Sequence, residues 1–490
     1  MIAASIGLST HVNHLVEAKA NFDAADKLGK TALTWAVESG NTECAQLLLD
    51  AKADVEIKDH DGKTALMRAT EHGHIACAQA LLDARADVYA KNLHWSTALL
   101  IASEVGQTEA VKFLLASKAN VNDQDNDGDT PLMCAAVKNH IECLQVLLDA
   151  KADATPADRW GRTALNWAVY NGYTDCARLL VNAKANIETK NEDGITPLIY
   201  AAVAGSTAHI DRLIRARADL HARDKRFGRT PLMWATQSGH AGCVQLLFEA
   251  RADLEAKDNF SATALMLASI TGHAECAQVL LDVKANMDAE TEDRVNPLLR
   301  AVQYGNAACI QLLIDAKADI ENESLGKPAL LWAAYFGKEE SVKVLLDAKA
   351  DQQAKDEQYG RTAAMWAAEK GHAACLQLLV DARADLEAQD SREQTMLMMA
   401  VRNITNTCAQ TLIRARANLE TKNGSGMTAL MTAANAGCAE TLQLLIDAKA
   451  NIEVRNNQGE TALWSAASGR DLCTAAGHSK RKSRSQEQRW

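Results

Sequence analysis

Nine of the twelve cysteines recur at one register of a regular spacing: Cys44, Cys77, Cys143, Cys176, Cys243, Cys276, Cys309, Cys375 and Cys408. Five of them follow a histidine by three residues, at His74, His140, His240, His273 and His372. On a helix that spacing aims two side chains the same way, which is the start of a zinc site. A row of thiols also invites redox chemistry. Both chemistries require ligands from successive copies to meet, whereas stacked helices sit about 8–10 Å apart and a disulfide tolerates at most roughly 7 Å between Cα atoms. Free cysteine otherwise packs as a small hydrophobe, and core packing is the reading adopted for this row.

Nothing else in the chain is arranged for catalysis. There is no glycine-rich phosphate loop, no Gly-x-Ser-x-Gly elbow and no His-Glu-x-x-His helix. Titratable residues recur with the same spacing as the structural ones, as a structural role requires. The expectation is a non-enzyme with no catalytic, cofactor-binding or metal-binding residue, no cofactor and no small-molecule substrate.

The 490 residues are 48% apolar but only 4% aromatic, so a core must be built from Ala, Leu, Val, Ile and Met in thin, closely packed elements. With 63 acidic and 52 basic residues the net charge is -11, which disfavours nucleic acid or an anionic membrane as the main partner. No apolar run reaches the 18 or so residues of a membrane span. The apolar opening Met1 to Leu8 lacks a basic start and is not read as a signal peptide. Twelve cysteines in so long a chain suit reduced thiols and a cytoplasmic location.

What positions these residues is an internal repeat. Its opening residues are Thr31, Thr64, Thr97, Thr130, Thr163, Thr196, Thr230, Thr263, Asn296, Pro328, Thr362, Thr395, Thr428 and Thr461, mostly 33 residues apart. In the copy at Thr130, Thr130 suits an N-cap, Pro131 the first helical position, and Leu132, Ala135 and Ala136 a buried face. Glycines such as Gly40, Gly172, Gly239 and Gly272 end this first helix. A second helix carries the cysteine and paired leucines, as in Cys44, Leu47 and Leu48, and a turn such as Asp59-His60-Asp61-Gly62 leads into the next copy.

Taken together, Thr230-Pro231-Leu232, Gly239-His240, Leu246-Leu247 and Ala252-Asp253 give a unit that resembles the ankyrin repeat, and the resemblance covers residues 1 to 470. It implies an all-α repeat solenoid of helix-turn-helix units joined by hairpin-like turns, binding protein partners on a concave face. Two departures stand out. The family's His after Leu is absent, with Met commonest in its place, as at Met67, Met133, Met233, Met266, Met365, Met398 and Met431. After the second helix, where the family usually has Gly, every copy carries a cation: Lys19, Lys52, Arg85, Lys118, Lys151, Lys184, Arg217, Arg251, Lys284, Lys317, Lys349, Arg383, Arg416 and Lys449. A left-handed backbone there costs a non-glycine residue about 1–2 kcal/mol. Neighbouring acids such as Asp50, Asp54, Asp315 and Asp319 neutralise this basic row, which is read as a solvated ridge.

One copy cannot bury its own apolar face, so copies must stack, and fourteen of them would make a rod on the order of 120–140 Å along its curve. The expected organisation is a partial repeat over 1–30, thirteen repeats over 31–460, a partial repeat over 461–477 and a basic, disordered tail over 478–490. The tail, with Lys480, Arg481, Lys482, Arg484 and Arg489, is a candidate nuclear address. Both ends are abrupt, with Met1 falling inside a first helix and the last copy losing its Leu-Leu pair, so the partial copies are read either as caps or as the mark of a regulatory fragment of a larger enzyme or channel.

Recognition can reside where copies differ. Three residues before the opening position, middle copies carry Trp160, Phe227, Phe260, Leu325 and Tyr359 where outer ones have Asp61, Asp127, Ser425 and Gln458; Tyr170, Tyr304, Tyr335 and Phe336 sit on the groove side of first helices. Clustered aromatics suit interface anchors, and residues 158 to 362 are the expected partner groove. Trp35, Trp167, Trp234, Trp332 and Trp366 are expected to pack between repeats as core. The function expected is a monomeric protein-interaction scaffold or adaptor.

Overall fold

Each helix of the repeat is too short to hold itself together, since isolated helices below about 12–15 residues are marginal in water. The computed structural model describes residues 1–324, 326–403 and 406–467. Among these are twenty-eight α-helices, from Ile2–Ser5 to Ala439–Asp447, and a further helical stretch over 462–467; the only bridges are the isolated pairs Ser324–Lys327 and Gln389–Thr395. A leading helix such as Pro131–Val137 has 7 residues and the trailing helix Ile141–Asp149 has 9.

The ends of these helices follow from their sequence. The Thr130 hydroxyl accepts the Met133 N–H at 3.2 Å, and Asn296 does the same for Leu299 at 2.9 Å. Such a cap contributes about 1 kcal/mol. Pro328 offers no side-chain cap. At the other end, all fourteen cations of the basic row adopt positive φ, between 55° at Lys19 and 73° at Lys317. Around Lys317 the turn is a complete Schellman motif: the Lys317 N–H donates to the Ile314 carbonyl and the Ala318 N–H to the Leu313 carbonyl, both at 2.9 Å.

The core lies between leading and trailing helices and between copies. Leu132, Ala135, Ala136, Cys143, Leu144 and Leu147 are at most 1% exposed. The nine cysteines of the row are equally buried. Burial pushes the thiols of Cys176, Cys243, Cys309, Cys375 and Cys408 up to about 11, so they stay neutral and unreactive at physiological pH. The seven methionines that replace the family's histidine are buried in the same core.

Copies are tied together by polar side chains as well. The His140 Nε2 lies 2.9 Å from the Glu104 carbonyl at the end of the preceding leading helix, and His240 and His372 reach Val203 and Tyr335 in the same way at 3.1 Å. Asn306 fills this role with two bonds, to Ser269 and Ile270. A Cβ on Gly337 would lie 2.5 Å from the His372 ring, so that glycine is fixed by the next repeat as well as by its φ of 68°. In the turns, Asp59, Asp158, Asp258 and Asp390 accept backbone N–H groups two and four residues ahead. Lysines then bond the next turn, as Lys58 to the Lys91 carbonyl and Lys355 to that of Gln389.

The chain divides into two units, Met1–Asp253 and Leu254–Trp490. Eight helix pairs build the first, and six pairs with the stretch 462–467 belong to the second. No helix among the described residues is long and apolar enough to cross a membrane.

Candidate functional site

The five tryptophans of the leading helices differ in depth from expectation. Only Trp366 is fully buried; Trp35, Trp167, Trp234 and Trp332 are half-buried, so they line the surface instead of filling the space between repeats. Four of the indole N–H groups turn toward the polar loop whatever the depth of the ring: Trp35 donates to Asp26 at 2.8 Å, Trp366 to Asp356 at 2.9 Å, Trp167 to Asp158 at 3.2 Å and Trp332 to the Ser324 carbonyl at 3.2 Å. Trp234 keeps a buried N–H with no acceptor.

In the first unit these rings are sandwiched by arginines. Trp160, 38% exposed at a turn tip, lies under Arg159 at 4.1 Å and Arg162 at 4.4 Å, and Arg162 also covers Trp167 at 3.9 Å. Both arginines are paired, Arg159 with Asp127 at 2.7 Å and Arg162 with Asp158 at 2.9 Å. Tyr170 stands edge-on to Trp167 and to Tyr200 of the next copy, at 6.3 and 5.5 Å. Phe227 meets Trp234 edge-on at 5.9 Å beneath Arg226 and Arg229. Burial pushes the Asp129 carboxyl up to about 6, reinforced by the neighbouring Asp125, Asp158 and Asp127 and opposed by Arg162.

In the second unit two successive leading helices, Ala329–Phe336 and Ala363–Lys370, assemble the densest cluster. Trp332 stacks on Phe336 at 5.4 Å and meets Tyr335 edge-on at 5.7 Å. Tyr335 bridges to Trp366 of the following copy at 5.2 Å, and Tyr359 closes on Trp366 at 5.9 Å. Trp332, Tyr335, Tyr359 and Trp366 line a cleft of about 470 Å³ together with Lys327, Arg361, Glu369, Lys370 and Arg392. Arg361 pairs with Glu369 and, at 3.4 Å, with Asp390.

The sequence-selected residues therefore fall into separate places. Trp160, Tyr170 and Phe227 join the arginine-clad rings of the first unit, Tyr335 and Tyr359 line the cleft of the second, and Phe336 packs on Trp332 and Tyr335 beside it. Phe260 is 63% exposed at its turn and Tyr304 50% exposed on its helix. Leu325 lies outside the described residues, as do residues 468–490 with the basic tail. Tyr335, Phe336, Phe227 and Tyr359 are half-buried, because each leans on a tryptophan.

Some surface features escaped the sequence reading. Tyr89, Leu93 and Trp95 are 54%, 68% and 62% exposed at loop tips of the first unit. They fall one or more places off the turn register that was compared, and a survey of every turn position would have found them. Among the described residues no three His, Cys, Asp or Glu side chains group as metal ligands.

A family model described as ankyrin repeats (3 copies) matches the chain in overlapping stretches, 1–92, 99–191, 150–224, 182–258, 209–291, 252–324, 298–390, 330–423 and 397–475. No curated protein matches it.

Proposed function

Because the chain belongs to the ankyrin-repeat family, whose repeats are in general protein-interaction modules, we propose that it is a non-catalytic scaffold or adaptor that holds protein partners against the inner-face aromatic residues. The single observation that carries this reading is the concentration of rings and cations on the leading helices and turns of residues 158 to 370, where Trp160, Phe260, Tyr304 and Tyr170 remain substantially exposed. Aromatic and arginine side chains held in place before binding lose little freedom on docking, and such residues dominate interface energetics. The short helices and capped turns supply that rigidity.

The test is affinity capture with the intact chain against a Trp160→Ala/Phe260→Ala/Tyr335→Ala variant. Capture should weaken by at least about a hundredfold, given hot-spot losses of about 2 kcal/mol or more per anchor, with helical circular dichroism unchanged. Undiminished capture by the well-folded variant rules out this placement.

A further inference from the structure

The cleft of the second unit is basic on a chain whose net charge is -11. Four cations, Lys327, Arg361, Lys370 and Arg392, line it with one carboxylate, Glu369; Arg361 pairs with that carboxylate and with the buried Asp390, and the buried Asp356 accepts the Trp366 N–H from behind. Lys327 is the informative member. Its residue is only 9% exposed, its ammonium lies 5.2 Å from the Trp332 ring and 5.4 Å from the Trp366 ring, and among the described residues it has no carboxylate or other hydrogen-bond acceptor. Lys370 reaches in from the far side, 4.5 Å from the Tyr335 ring and 5.9 Å from Trp366, equally without an ion pair among the described residues.

An ammonium at the end of a largely buried side chain, set against ring faces with no acceptor of the protein's own, keeps only part of its hydration and opens on the cleft. An anion entering the cleft would supply the hydrogen bonds that the rings do not, with Lys327 already held on its largely buried stem. The same rings exclude a cationic guest: the positions over Trp332, Trp366 and Tyr335 are taken by the protein's own charges. The acidic surroundings of Asp129 in the first unit show that this basic character is local.

We propose that this cleft binds an acidic peptide segment, placing its carboxylates on Lys327 and Lys370 and an apolar side chain against Tyr359 and Trp332. The assignment rests on the scaffold reading and names the chemistry of its partner.

The probe is a fluorescein-labelled nonapeptide of eight glutamates around a central phenylalanine, titrated into the full chain by anisotropy, beside the same peptide with every glutamate replaced by glutamine. The acidic peptide should bind and the neutral one should bind at least tenfold more weakly. Lys327→Gln/Lys370→Gln should cost the acidic peptide at least tenfold, whereas Lys327→Arg/Lys370→Arg should stay within about threefold; thermal midpoints check that both variants fold. Equal binding of the two peptides overturns the proposal. So does binding that ignores the glutamine substitutions, the result expected if the basic tail were the site. A nine-nucleotide thymidine oligomer that competes as well as the acidic peptide, and with the same dependence on the two lysines, overturns it in favour of nucleic acid. If the acidic peptide fails while the triple aromatic variant still loses its captured partner, the scaffold reading stands and the acidic assignment alone falls.

Discussion

At the scale of the residue, the basic row shows how one position is chosen against its own backbone. Lys317 sits at φ 73°, where an L-residue gives up about 1–2 kcal/mol. A cation at a helix C-terminus returns only about 0.3–1 kcal/mol through the helix dipole. Lys317→Gly should therefore stabilise the chain slightly, by at most about 1 kcal/mol, because glycine's greater freedom in the unfolded state takes back about 0.5–1 kcal/mol of the relieved strain. A higher urea midpoint with unchanged slope is the expected result, and a lower midpoint would mean that the Lys317 side chain contributes contacts worth more than the strain. The left-handed turn was legible in the sequence because the family's glycine marks the position and the cation follows every trailing helix. The depth of the tryptophans was not. Trp332 and Trp366 share one register and both donate to the preceding loop, yet only Trp366 is buried, under Tyr335 and Tyr359 of its own and the preceding copy, neighbours that the register of a single copy does not encode.

At the scale of the element, what matters is how one leading helix ends against the next repeat. His372 closes the carbonyl end of Ala329–Phe336 by bonding Tyr335, and Asn306 closes Ala264–Thr271 with an amide instead. Two different side chains perform one task, so the requirement is a donor at that position and not an imidazole. His372→Ala should lose about 1 kcal/mol of stability, whereas His372→Asn should retain most of it; equal losses in the two variants, measured by urea unfolding, would assign the effect to ring packing over Gly337. The sequence showed Gly-His pairs and suggested a structural use, but also left room for a His-Cys metal pair on one helix face. The fold separates them: the cysteine of each pair turns into the core, while His140, His240 and His372 reach back to a carbonyl of the preceding copy. The cleft was only half legible for the same reason. Tyr335 and Tyr359 were identified by their register, but the cations that complete the site, Lys327 and Lys370, come from different copies and meet only through stacking.

At the scale of the whole molecule, stability is a sum over neighbouring copies, because each helix is shorter than an isolated helix needs to be and each apolar face is covered by the next copy. The period itself should then be the unit that can be removed. Deleting residues 64–96 takes out one complete copy and joins Lys63 to Thr97, two residues whose equivalents already adjoin in every repeat. Gln107, which now packs over Gly73, would meet Gly40, which occupies the same left-handed position with φ 73° against 74°. The deletion lies in the first unit and outside residues 158 to 370, so helical signal per residue and partner capture should both be retained, with the dependence of stability on urea falling by roughly 7%, about one copy in fourteen. Deleting 64–79 instead removes the leading helix Ala65–Glu71 and leaves part of its trailing helix without a partner; the buried faces of the copies on either side are then uncovered, and the thermal transition should broaden and move down by many degrees. If both deletions are tolerated alike, the copies are not coupled through their faces, and the rigidity on which the inner-face binding reading depends is lost with them.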